Sequence, residues 1–124
     1  MRILADSSVW IDHFRSANER FSNRLGASQI LCHPFVIGEL ALGSLASRET
    51  KLAAMSRLRM LTKSSDEEVM AMVERRRLWN RGIGLVDAHL LASVLISQNT
   101  ELWTFDRRLE VVAREANVSF EPIH

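Results

Sequence analysis

The chain has 124 residues, 47% of them hydrophobic, which suits one domain spanning 1–124 with a buried core of its own. Its single cysteine, Cys32, excludes an internal disulfide and fits a reducing compartment. With 16 basic against 15 acidic residues the net charge is +1, so bulk charge singles out no partner.

The opening Met1-Arg2-Ile3-Leu4-Ala5-Asp6 lacks the charged start, apolar run and cleavage site of a leader. The most apolar later stretch, residues 90–96, falls well short of the roughly 20 residues a membrane span needs. The expectation is a soluble, cytoplasmic protein without a membrane partner.

Ile3-Leu4-Ala5 reads as a short buried strand, after which Ser7 or Ser8 can cap a helix through Phe14. A second helix is predicted over residues 19–25, stopped by Gly26. Residues 29–33 read as a strand, and Pro34 suits the first position of a helix reaching about Leu45. A helix over about 49–58 and a strand at 60–62 follow. Ser64 or Ser65, with Glu67 and Glu68 behind, opens a helix to about Trp79. Residues 81–84 form a loop, 86–98 a helix, 102–105 a strand, 107–116 a helix and 118–120 a fifth strand. Short apolar strands alternating with helices predict an α/β fold with three α/β/α layers and a mostly parallel five-stranded sheet. In such sheets ligands bind beyond the carboxyl ends of the strands, at the topological switch point.

Four acids occupy informative positions. Asp6 and Asp106 follow the first and fourth strands, so parallel neighbouring strands would deliver both carboxylates to one sheet edge. Glu39 shares its helical stripe with Phe35, Val36, Leu40 and Gly43, and Asp87 shares one with Leu90, Leu91 and Val94. A charge on an apolar stripe is costly unless paired or metal-bound. Each acid alone also has an ordinary reading, as a helix cap, a turn, a first-turn acid or a stripe-edge charge reaching solvent. Converging together, they would repel one another unless a cation intervened. Oxygen ligands without a nearby thiol suit a hard ion, Mg²⁺ or Mn²⁺, which could activate water against a phosphodiester.

The segments Leu4-Ala5-Asp6-Ser7-Ser8-Val9-Trp10-Ile11-Asp12, Val36-Ile37-Gly38-Glu39-Leu40-Ala41-Leu42-Gly43, Gly84-Leu85-Val86-Asp87-Ala88-His89-Leu90-Leu91-Ala92 and Thr104-Phe105-Asp106-Arg107-Arg108-Leu109 together resemble a PIN-domain toxin of the VapC type. The resemblance spans the whole chain and rests on four motifs in order. It implies a PIN-like fold, a homodimer, Mg²⁺-dependent cleavage of RNA, and a VapB-like antitoxin through which alone DNA would be bound. It implies Asp6, Glu39, Asp87 and Asp106 as catalytic and metal-binding acids, with Ser8 and Thr104 as supporting hydroxyls. Arg107-Arg108 follows the fourth acid, where some relatives carry further acids or amides.

Other residues attract plainer readings. His13, His33, His89 and His124 are too scattered for a ligand set, although His33 could lie near the acids. Cys32 reads as core, and Met55, Met60, Met70 and Met72 as core or dimer surface. Trp10, Trp79 and Trp103 read as packing anchors. Arg81, Arg107 and the run Arg75-Arg76-Arg77 are candidate RNA-backbone contacts on charge alone. An aspartyl-phosphate phosphatase would need a second Asp where Ser8 stands, and a receiver domain would need paired early acids. The remaining alternative is a PIN-like module that binds a partner without cleaving RNA.

Overall fold

The computed structural model describes residues 1–122, leaving His124 outside. The order is β1 (Arg2–Ala5), α1 (Ser7–Arg15), α2 (Glu19–Gly26), β2 (Ile30–Leu31), α3 (Pro34–Leu42), α4 (Arg48–Ser56), α5 (Asp66–Arg76), α6 (Leu85–Leu95), β3 (Thr100–Trp103) and α7 (Arg107–Glu115).

The sheet has three parallel strands in the order β2-β1-β3, with Leu4 opposite both Leu31 and Leu102. Five strands were expected, and this is a correction. The segments at 60–62 and 118–120 do flank the sheet in parallel, but through single bridges, Cys32 with Met60 and Leu102 with Ser119. Cys32 N–H donates to Arg59 O at 2.9 Å and Leu61 N–H to Cys32 O at 2.8 Å, before the chain leaves to cap α5. On the other edge Leu102 N–H donates to Val118 O at 2.7 Å and Phe120 N–H to Leu102 O at 2.9 Å, and Pro122, lacking an N–H, soon follows.

β1 is the centre of the core. Ile3 and Leu4 point to opposite faces and neither has any exposed surface, so both faces of the sheet are covered. Trp10, Phe21, Trp103 and Phe120 run through the core as a chain of rings with centroids 4.7–5.8 Å apart. Trp79 does not join it: at 52% exposure it is no packing anchor, because α5 ends at Arg76 rather than near Trp79. Arg77 turns left-handed there, with φ 54°. Met55 and Met72 are buried and Met70 is exposed.

Helix starts follow local chemistry. Ser65 and Glu68 exchange side-chain and backbone bonds at the start of α5. Asp6, not Ser7 or Ser8, caps α1 by accepting from Val9 N–H. α3 begins with Pro34 and stops at Leu42, short of the expected Leu45, and α6 stops at Leu95, short of 98.

His33 caps α3 with an imidazole. Phe35 N–H donates to Nδ1 at 3.0 Å, so Nε2 carries the proton and donates to Ser93 Oγ at 3.1 Å. The ring is wholly buried and has a structural task, tying α3 to α6. Burial, with the fields of His89 and Lys63, lowers its pKa from 6.5 to about 4. The unfolded chain therefore binds a proton below pH 6.5 that the folded chain refuses until about pH 4. This group's contribution is complete above pH 6.5 and lost as pH falls through that window. Denaturation of wild type and His33→Asn between pH 7 and 4 should show an extra loss of about 3 kcal/mol in wild type.

Candidate active site

The site forms where the sheet order reverses. β1 is flanked by β2 on one side and β3 on the other, so the crevice beyond the carboxyl ends of β1 and β3 is the switch point. Asp6 follows β1 directly, and its N–H donates to Trp103 O at 3.0 Å, continuing the ladder by one bond.

The Asp6 carboxylate is 5% exposed and nearly saturated. Oδ1 accepts from the Ser8 hydroxyl at 2.5 Å and from Val9 N–H at 3.2 Å, while Oδ2 accepts from the Thr104 hydroxyl. Both hydroxyls are themselves oriented. Ser8 Oγ accepts from Phe105 N–H at 3.0 Å, and Thr104 Oγ1 from Asp106 N–H at 2.9 Å. Their protons are thus left for Asp6. Burial raises the Asp6 pKa, and the Ser8, Thr104 and backbone bonds oppose the rise.

The other acids arrive from three helices. Asp87 is half-buried in the first turn of α6, with Oδ2 accepting from Gly84 N–H at 3.4 Å. Asp106 is exposed and caps α7, its Oδ1 accepting from Arg108 N–H and Leu109 N–H. Three of the four carboxylates therefore sit at helix amino ends, where the dipole favours them. Glu39 lies within α3 and is exposed, which corrects its expected place on a buried stripe. It reaches toward α1, where Ser7 Oγ donates to Oε1 at 3.0 Å.

Electrostatics tie the four together. Burial is the main cause of the raised Asp87 pKa, and the charges of Asp106, Asp6 and Glu39 push it further, against the Gly84 N–H. Among the described residues, none of the four acids forms an ion pair. Nor, among those residues, do three acids, imidazoles or thiols stand close enough to grip an ion directly. The donor set still fits a hydrated Mg²⁺, which keeps several waters and uses only one or two carboxylates.

The predicted basic contacts divide. Arg81 is engaged with Glu115 through two bonds of 2.7 Å, so it is a clasp between the 81–84 loop and α7 rather than an open backbone contact. Arg107 is exposed beside Asp106. Arg108 lies against Gly82, where an added Cβ would stand 2.4 Å from its Cδ and push the arginine aside; Gly82 also has φ +76°, which favours glycine. Sequence reasoning missed Ser7, Gly84 and this clasp. Ser7 was hidden by its neighbour Ser8, and the clasp joins residues far apart in the chain. His33 and Cys32 belong to the core, the thiol pushed up by burial to about 11.

Thr104→Val keeps the shape but removes the hydroxyl that satisfies Asp6 Oδ2. The expected cost is about 1–3 kcal/mol at neutral pH, read by urea denaturation and shrinking as the solution is acidified and Asp6 takes up a proton.

Comparison with known proteins places this geometry. Residues 3–115 match the PIN domain family. The chain is similar to the protein named Ribonuclease VapC32 from two strains of Mycobacterium tuberculosis, CDC 1551 / Oshkosh and ATCC 25618 / H37Rv. Identity with each is 45% over 117 residues, covering 94% of this chain and 94% of the relative. A PIN match over nearly the whole chain, with that degree of identity, means that the chain belongs to the PIN-domain family, among its VapC-type members.

Proposed function

We propose that the chain is the toxin of a type II toxin–antitoxin module: an endoribonuclease hydrolysing RNA phosphodiester bonds, with Mg²⁺ as cofactor and Mn²⁺ as a substitute. One observation carries the reading. Four carboxylates from four parts of the chain share one field at the sheet's switch point, and no ion pair balances them among the described residues. Such a site is built at a cost in stability unless it serves a cation.

In this reading Asp6, Glu39, Asp87 and Asp106 are both the catalytic acids and the groups that hold the cation, most of them through the waters it keeps. The ion, when bound, lowers the pKa of a water and offsets charge on the scissile phosphate. Asp6 is held as an oriented anion by Ser8 and Thr104. Glu39 is aimed by Ser7, and Asp87 by the Gly84 N–H. Arg107, beside Asp106, can meet the RNA backbone. A VapB-like antitoxin, a homodimer, DNA contact only through the antitoxin and a cytoplasmic location complete the proposal. Among the described residues no helix is long and apolar enough to cross a membrane.

Asp6→Asn is nearly isosteric and retains a capping oxygen. Mapping cleavage of total RNA with and without Mg²⁺ should show Mg²⁺-dependent cuts for wild type and none for Asp6→Asn, with an unchanged circular dichroism spectrum. Cleavage at the wild-type rate by folded Asp6→Asn would refute the assignment. Antitoxin binding without any Mg²⁺-dependent cutting would favour the non-enzymatic module. Independently of activity, Mg²⁺ at 100 times its Kd should stabilise wild type by about 2.7 kcal/mol. Thermal melts should show the effect vanish in Asp6→Asn. It should also fade in wild type as pH falls toward the raised protonation range of Asp6 and Asp87.

A further inference from the structure

The parallel sheet has a second pole, at the amino ends of its strands. A pocket of about 360 Å³ opens there. Arg2 lines it from the start of β1, Ser28 from the turn before β2, and Arg57 and Arg59 from the segment between α4 and the Met60 bridge. No carboxylate is among its lining residues. Among the described residues none of the three arginines makes an ion pair.

One feature distinguishes this from a solvated basic face. Arg2 Nε is shut off from solvent and, among the described residues, has no hydrogen-bond partner, leaving a buried donor unmet. The Arg59 backbone is held at the sheet edge, where its carbonyl accepts from Cys32 N–H at 2.9 Å, and its side chain is exposed. Three cationic side chains line one pocket with no acid among them, and one buried donor is left unmet. An anion with several acceptor oxygens would relieve both, and guanidinium forks match phosphate geometry.

We propose that Arg2, Arg57 and Arg59 form a phosphate-binding subsite that holds the sugar–phosphate backbone of RNA at the pole opposite the acids. The inference rests on the ribonuclease reading for its choice of RNA as ligand. β1 joins the two poles, its Arg2 lying four residues before Asp6, or about 13 Å along a strand. That equals at least about four nucleotides of stacked strand. The subsite therefore engages long or folded RNA and is out of reach of a very short oligonucleotide occupying the acids.

The test uses Arg57→Ala/Arg59→Ala, both exposed positions, on the full chain, with a urea midpoint to confirm folding. In an Asp6→Asn background, a labelled single-stranded RNA of roughly 30 nucleotides is followed by anisotropy across a salt series. The double variant should bind about tenfold more weakly, with a salt slope shallower by about 1.4, at about 0.7 per lost phosphate contact. With Asp6 restored, the same double variant should cleave a dinucleotide, too short to reach from the acids to the arginines, at the rate of wild type. Unchanged RNA affinity and slope would overturn the proposal, including the case in which inorganic phosphate alone binds in an Arg57- and Arg59-dependent way. An equal loss from Arg20→Ala/Arg48→Ala, exposed arginines outside the pocket, would overturn it too, by showing a charge effect without a site. Because binding is read without cleavage, RNA binding that needs Arg57 and Arg59 in a protein that never cuts would uphold the subsite and refute the nuclease. Normal cutting with no effect of these arginines would do the reverse.

Discussion

The buried carboxylate of Asp6 is the point on which the rest of the molecule turns. It ends the central strand, starts α1 as its cap, and collects hydroxyls from Ser8 and Thr104 that are themselves held by the backbone after β3. A charge at 5% exposure is unfavourable by itself. The hydrogen bonds lower that cost without abolishing it, and the pKa remains raised. The same bonds lock the ends of β1 and β3 together, so a structural need and a chemical poise are met by one side chain.

Much of this was legible because the relevant signals are local. Asp6 and Asp106 stand where short apolar strands end, and Asp87 opens an apolar helix, so the chain order alone suggested one edge of a parallel sheet. Pro34, and Ser65 with Glu68, marked helix starts by rules of backbone bonding, whereas α2 runs through Gly26 and the left-handed turn comes at Ser28. Where the reading failed, longer-range facts decided. Glu39 was placed on an apolar stripe, but the stripe's neighbours leave its carboxylate in solvent beside Ser7. Trp79 looked like an anchor until the left-handed Arg77 ended α5 early. The expected outer strands exist only as single bridges, because the chain turns away after one pair of bonds on each side.

The cap readings and the catalytic readings of the acids turn out not to be rivals. Asp6 and Asp106 do cap helices, and Asp87 does bond back to the N–H of Gly84, the residue that caps its helix. Helix amino ends are a convenient way to bring carboxylates together, since each dipole lightens the burden of its own charge. The mutual repulsion that remains is what leaves Asp87 sensitive to the other three. The clasp of Arg81 on Glu115 and the fit of Arg108 over Gly82 then join the loop before Asp87 to the helix after Asp106. Two of the acids are in this way carried on one mechanically connected unit.

The place of β1 in the sheet bears on how the protein comes to exist. The central strand is made first, yet its partner β3 and the hydroxyl that completes Asp6 come 98 positions later. At about 5–20 residues per second, a ribosome needs several seconds to supply them. Until Thr104 has emerged, Asp6 has neither its sheet neighbour nor its second oriented hydroxyl. The closing of so long a loop makes this pairing a late event of folding. A chain released early thus carries the first acid without the hydroxyl and the neighbouring strand that orient it.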